Sequence, residues 1–320
     1  MTSPQPVLRL GALERGRRRA ALAMLSPTLA GLVVFFVLPL LATILLSFTR
    51  YNLLSPPQWI GLRNYQYLFT QDPKVWTSAG NTLWFVVVLV PVRVLTAMGV
   101  AALLIRVRRG SGFWRTVFYL PALVPPVASV VAFVFLFTPG GGPVNTVLGA
   151  LGLPQPLWFN DPQLAKPSLV LLGIWVMGDV MVIFLAALLD VPRELYEAAE
   201  LDGAGPVAKT WYVTLPTIAP VIGFAAITGV IAALQYFTEA AVASTVASGK
   251  AGAGSSATDV LGYPDNALLT YAQWLYVRGF GSYQLGYASA LAVLLFVVAA
   301  AAVTFTLRKV KAFSPEEAMS

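Results

Sequence analysis

The sequence predicts an all-α membrane protein of six transmembrane helices with both termini on the cytoplasmic side. Three observations predict it. Of 320 residues, 58% are hydrophobic and only 11% are charged, with a mean hydropathy of +0.74. Soluble domains carry about a quarter charged residues. Apolar runs recur at about 20–48, 79–105, 113–137, 168–189, 217–243 and 284–307. Each is long enough to cross a hydrocarbon layer of about 30 Å. The Lys and Arg residues are unevenly shared between the two sets of loops. Fourteen fall in the N-terminal tail, in the loops after the second and fourth runs, and at the C-terminal end; six fall in the opposite loops. Cytoplasmic loops carry such an excess. The predicted layout is a tail at 1–19, a transmembrane domain at 20–310 and a second tail at 311–320.

The first run follows Arg9, Arg15, Arg17, Arg18 and Arg19. It is longer than the apolar core of a signal peptide and shows no small-residue cleavage site, so it reads as a retained span. Pro27 and Pro39 are expected to bend it. Residues Tyr51 to Ser78 are polar and turn-rich, with Trp59, Tyr65 and Trp76 suited to a headgroup belt. The second span carries Arg93 near its middle, and a tight basic loop with Arg106, Arg108, Arg109 and Arg115 follows. Pro125-Pro126 should bend or break the third span. After a loop from Thr138 to Pro167, the fourth span carries Asp179 near its middle. The fifth span bears Gln235, Tyr236 and Glu239 toward its far end. Ser244 to Gln284 reads as a long external loop, and the sixth span runs into Arg308-Lys309-Val310-Lys311.

The segment Pro192 to Pro220 is the one long polar stretch that reads as a folded object. Pro192 can open a helix, and Glu194 sits where the helix dipole favours an anion. Gly203 is placed to end that helix in the left-handed conformation. Gly205-Pro206 makes a second start, which predicts two short helices at an angle. Glu194, Glu197 and Glu200 share one side of the first helix, and Leu195, Ala198 and Ala199 supply a small methyl surface. Asp202 adds to an acidic loop on a side of the membrane whose other loops are basic. Such a helix is either a solvated connection or a foot for a groove on another protein.

Composition excludes several chemistries. With no Cys and no His, there is no thiol catalysis, His-based triad, disulfide or His/Cys metal site. Ser248 to Ser256 looks superficially like a phosphate loop, but it lacks the G-x-x-x-x-G-K-[ST] spacing and its strand context. It reads as a flexible linker. The net charge of +7 is a topology signal, and no nucleic-acid partner follows from it.

Two sets of residues are candidates for a path through the bilayer. Arg93 and Asp179 are the centrally placed charges. They either form an ion pair between the second and fourth spans, or each faces a water-filled cavity or a partner subunit. Gln235, Tyr236, Phe237 and Glu239 combine rings with hydrogen-bonding groups, which suits a sugar; ordinary packing between helices accounts for them as well.

Glu197-Ala198-Ala199, then Gly203, then Leu215-Pro216 resembles the EAA motif of the permease subunits of binding-protein-dependent ABC importers. That pattern is E-A-A, three residues, G, nine residues, I, one residue, L-P, and Val213 stands here for the Ile. Further strings are similar to the carbohydrate-type permeases, the group that includes maltose and glycerol-3-phosphate permeases. They are Trp59 to Tyr65, Asn81-Thr82-Leu83, Arg115 to Pro121, the loop from Gly140 to Pro162, and Gly286 to Ala290. The resemblance implies a coupling helix between spans four and five, docked on an ATP-hydrolysing subunit. It implies a non-catalytic chain in a bacterial or archaeal cytoplasmic (inner) membrane, forming half of a sugar path. The implied partners are a second, different permease, a dimer of ATP-binding subunits that holds the ATP and Mg, and an extracytoplasmic solute-binding protein. An ion-coupled secondary transporter using Asp179 and Glu239, or an importer of a polyol or glycerol phosphate, is the alternative.

Overall fold

The computed structural model describes residues 10–107, 109–250 and 257–311. The start of the N-terminal tail, Arg108, residues 251–256 of the expected linker, and the end of the C-terminal tail lie outside them. Four helical stretches are long and apolar enough to cross a membrane: Ala21–Ser47, Pro73–Arg106, Pro206–Leu234 and Leu285–Arg308. Two bent helix pairs bring the number to six if each pair is one span.

The first stretch joins α1 (Leu10–Leu32) to α2 (Leu38–Ser47) through a π turn at Val33–Val37. The helix thus begins well before residue 20. The Leu38 N–H reaches back to Val33 O, one residue further than in an α-helix. The next residue is Pro39, whose ring would clash with the carbonyl four residues back. The wide turn relieves that clash. The same device recurs at Thr210–Thr214, where Leu215 N–H bonds Thr210 O just before Pro216. It changes one expectation. The second short helix of the polar loop, α11 (Pro206–Lys209), runs through this π turn into α12 (Leu215–Leu234) and forms the first turns of the fifth span.

Three breaks interrupt the spans. The third is α5 (Ser111–Tyr119), a 3-10 turn at Leu120–Leu123, and α6 (Pro126–Leu136), bent by 99°. Pro125 and Pro126 remove donors there, as expected, and Pro121 removes another. The fourth was expected as one span at 168–189. It is α8 (Ala165–Trp175) and α9 (Gly178–Leu189), bent by 48°. Gly178 is required at the bend, because a Cβ there would lie 2.7 Å from the Cα of Tyr119. The fifth was expected to be continuous from 217 to 243. It breaks at Gln235–Phe237 and resumes as α13 (Thr238–Ala247). No Gly or Pro marks this break. Two rings anchor it instead: Tyr236 packs on Phe85 at 4.8 Å and Phe237 on Tyr276 at 5.3 Å.

The residues from 257 to 284 are an ordered cap rather than a loop. It contains α14 (Tyr271–Tyr276) and a π turn at Val277–Gly281, and it buries Leu268, Leu269, Tyr271 and Trp274. Its backbone is held by α4 (Pro73–Arg106). Asn81 donates to the carbonyls of Asn266 (2.8 Å) and Leu269 (2.9 Å), and Thr82 Oγ1 accepts from Tyr271 N–H at 2.9 Å. Burial raises the Tyr271 phenol, which donates to Leu291 O at 3.0 Å.

A two-residue hairpin, β1 (Thr49–Arg50) with β2 (Gln58–Trp59), is antiparallel, with Thr49 opposite Trp59. Asn64, on α3 (Arg63–Thr70), ties it to the first span by donating to Ser47 O (2.8 Å) and Thr49 O (2.9 Å). The hairpin lies on Gly286 of α15 (Leu285–Lys311), where a Cβ would run into Thr49 O. In α7 (Pro143–Ala150), Asn145 bonds Pro156 O and the Trp158 indole. The asparagines and the glycine of the family-like strings are therefore joints between segments.

The core is split. Phe85 and Leu89 of α4 pack with Val130, Leu169, Leu172 and Ala240 in an outer cluster. Ala97, Ala101 and Leu104 of the same helix pack with Met181, Phe184, Ile218 and Ala225 in an inner one. Leu89 and Ala97 are about 12 Å apart along α4, and Arg93 lies between them.

Candidate functional site

All three breaks face the level of Arg93. Two adjoining cavities of about 200 and 480 Å³ open there, and they share Leu89, Arg93, Asp179, Tyr236 and Glu239. The smaller is walled by Pro121, Val124 and Pro126 of the first break and Val176 of the second; the larger is walled by Gln235, Phe237 and Thr238 of the third. Non-helical backbone at membrane depth is tolerated where it is covered by protein or lines a watery cavity.

Arg93 and Asp179 form a pair, which resolves the two readings of these charges. Arg93 Nη2 donates to Asp179 Oδ1 at 2.7 Å and Oδ2 at 2.9 Å. It also lies 3.4 Å from Val176 O, a carbonyl freed by the break in the fourth span. The guanidinium is mostly covered, while the Asp179 side chain is 55% exposed and opens on the cavity. Arg93 Nε is buried with no partner among the described residues. Glu239, on the first turn of α13, makes no ion pair or hydrogen bond among the described residues, and lines both cavities. Gln235 caps the end of α12 and is exposed toward the larger cavity. The site thus gathers all five path residues expected from the sequence. It offers two carboxylates, one guanidinium, an amide and two rings, a donor and acceptor set that suits a hydroxyl-rich solute.

The polar loop is built separately. Helix α10 (Arg193–Leu201) carries Glu194, Glu197 and Ala198 exposed and Ala199 half-buried. It ends as a Schellman motif: Ala204 N–H bonds Ala199 O (2.8 Å), Gly203 N–H bonds Glu200 O (3.0 Å), and Gly203 has φ +78°. Asp202 is exposed beside it, and Glu200 pairs with Lys209. The residue that fixes the helix is one the sequence reading did not single out. Tyr196 packs with the inner core and shares a hydrogen bond with Thr214 at 2.9 Å. Leu215 is half-buried and Pro216 exposed at the start of α12. Leu201, Val207, Trp211 and Tyr212 project as a second, apolar part of the same surface, and Leu201 is 90% exposed.

A further charge cluster was not foreseen. Asp72, 3% exposed, accepts from Lys74 N–H, the Trp274 indole (3.0 Å), Arg278 Nη2 (3.0 Å) and Tyr287 OH (2.9 Å). The Arg278 guanidinium lies 4.5 Å from the Trp274 ring centre. This cluster locks the cap to α4 and α15. Asp72-Pro73 was legible only as a turn, because its partners lie some two hundred residues away.

Comparison with known proteins gives the family. Residues 93–311 match the binding-protein-dependent transport system inner membrane component family. The chain is 35% identical over 280 residues to the probable ABC transporter permease protein YesP of Bacillus subtilis (strain 168), covering 87% of this chain and 86% of that one. It is 31% identical over 302 residues to the sulfoquinovosyl glycerol transport system permease protein SmoG of Agrobacterium fabrum, covering 93% and 92%. Its fold is similar to a chain in the crystal structure of a bacterial ABC transporter involved in the import of the acidic polysaccharide alginate. That match has a TM-score of 0.72 and 23% identity, and covers 93% of this chain and 97% of the other. The family match spans the path residues, the polar loop and the sixth span together, and the chain belongs to the inner membrane components of binding-protein-dependent transport systems.

Proposed function

We propose that this chain is one of two different permease subunits of an ATP-driven importer and forms half of its path for a carbohydrate. The path is the cavity around Arg93, Asp179, Gln235, Tyr236 and Glu239. The solute arrives from an extracytoplasmic binding protein, and the external cap is the face that meets it. Both termini and α10 lie in the cytoplasm, as the excess of Lys and Arg on that side supports. Helix α10 is the coupling helix, and a dimer of ATP-binding subunits receives it.

The observation that carries this reading is the form of α10. It is a short acidic helix with an exposed front, pinned from behind by Tyr196 and closed by Gly203. Leu201, at the end of α10, is left 90% exposed and gives the acidic front an apolar edge for a partner's groove. Closure of the partner subunits would push on α10. The push would pass through Tyr196 and Thr214 into the π turn at the foot of the fifth span. Membership of a binding-protein-dependent family disfavours the ion-coupled alternative that Asp179 and Glu239 raise.

The test is uptake and ATP hydrolysis by the assembled importer in proteoliposomes. Glu197→Lys and Gly203→Pro should leave assembly intact, lower uptake at least about tenfold and leave ATP hydrolysis largely in place. Normal uptake in both variants refutes the coupling role.

A further inference from the structure

The cavity also carries a charge imbalance. Its acidic and basic side chains are Arg93, Asp179 and Glu239. Both oxygens of Asp179 are engaged by Arg93 Nη2, so that guanidinium is already neutralised. Glu239 has no counter-charge among the described residues, and the remaining polar groups, Gln235, Thr238 and Tyr236, are neutral. This wall of the path therefore holds one uncompensated negative charge. It sits between the two core clusters, where water screens charge less than at a surface.

We propose that Glu239 is a charge filter which makes the cargo a neutral or amine-bearing carbohydrate and rejects uronates, sulfonates and phosphate esters. The inference rests on the reading of this cavity as the path. Tyr236 and Phe237, at the same break, offer ring faces to a sugar, while the Glu239 carboxylate accepts from a hydroxyl or an ammonium group. An anionic solute at this level would meet the carboxyl groups of Glu239 and Asp179 around a single guanidinium. One negative charge would then be left without a cationic partner. Likeness to proteins named for acidic or sulfonated cargo leaves the sign of this charge open, since fold does not fix the chemistry of a site.

The experiment uses the complete importer in proteoliposomes, with its binding protein and ATP-binding subunits. It is fed a pooled polysaccharide hydrolysate containing neutral, glucosamine-containing and uronate oligosaccharides. The accumulated species are identified by mass spectrometry. Neutral or amine-bearing species are expected inside, and accumulation of uronates overturns the filter. If no carbohydrate accumulates, the carbohydrate path itself falls, and the filter with it. The second arm compares the transported sugar with its C6-oxidised uronate in Glu239→Gln. The uronate-to-parent uptake ratio should rise at least about threefold, the scale of one screened charge interaction. A merely structural role would lower both uptakes alike and leave the ratio unchanged, which also overturns the proposal.

Discussion

Exchange of the intramembrane charges is a direct test of the Arg93–Asp179 contact. The perturbations are Arg93→Asp, Asp179→Arg and the two together. At an effective dielectric near 20, two unit charges about 4 Å apart attract by about 4 kcal/mol. Side-chain ordering and desolvation offset part of this, and the half-open Asp179 carboxylate admits water. Exposed pairs are worth about 0.2–1 kcal/mol, and breaking a buried pair costs about 3–5 kcal/mol. A partly covered pair on a cavity wall falls between, so a coupling of about 1–2 kcal/mol is expected. Each single reversal puts two like charges beside each other at Val176 and should lower the melting temperature of the purified complex. The double exchange should recover most of that loss. The assay is a double-mutant cycle on thermal unfolding in detergent, with uptake as a second readout. If the two single effects add within about 0.5 kcal/mol, the side chains are uncoupled and the pairing argument fails.

The remaining predictions concern the joints. Asp72→Ala strips Arg278, Trp274 and Tyr287 of a shared acceptor and leaves a covered guanidinium without its carboxylate. It should cost about 3 kcal/mol and raise hydrogen exchange across 260–284 while α9 keeps its protection. Asn81→Ala removes both bonds to the cap backbone and should loosen the same residues by about 1–2 kcal/mol. Gly286→Val forces a side chain into Thr49 O. It should displace the hairpin and lower the melting temperature of the complex by several degrees, an overpacking cost of about 1–3 kcal/mol. An unchanged melting curve would contradict that contact.

What could be read in the sequence followed from signals carried by single residues or long runs. Pro125-Pro126 announced the break in the third span, and the E-A-A…G spacing placed α10 and its end. Arg93 and Asp179 were visible as mid-span charges. Their pairing was one of two open readings, because it depends on how α4 and α9 pack. The bend at Gly178 was missed because the close approach of Tyr119 gives that glycine its role. The break at Gln235–Phe237 has no local mark, and tertiary ring contacts hold it. The cap looked like a loop because its order comes from Asn81, Thr82 and Asp72 far upstream. The continuity of α11 with α12 was hidden by Leu215-Pro216, which read as a boundary; the π turn accommodates the proline without one.

The central claim is that α10 is an inward-facing foot gripped by an ATP-binding partner. The chain has no native cysteine, so Ala198→Cys gives one labelling site on the exposed face of that helix. The measurement is its reaction with a membrane-impermeant maleimide in intact cells and in inside-out vesicles, with and without the ATP-binding subunits. The account predicts no labelling in cells, rapid labelling in vesicles lacking those subunits, and protection when they are bound. Labelling from the cell exterior, or equal labelling with and without the subunits, would contradict it.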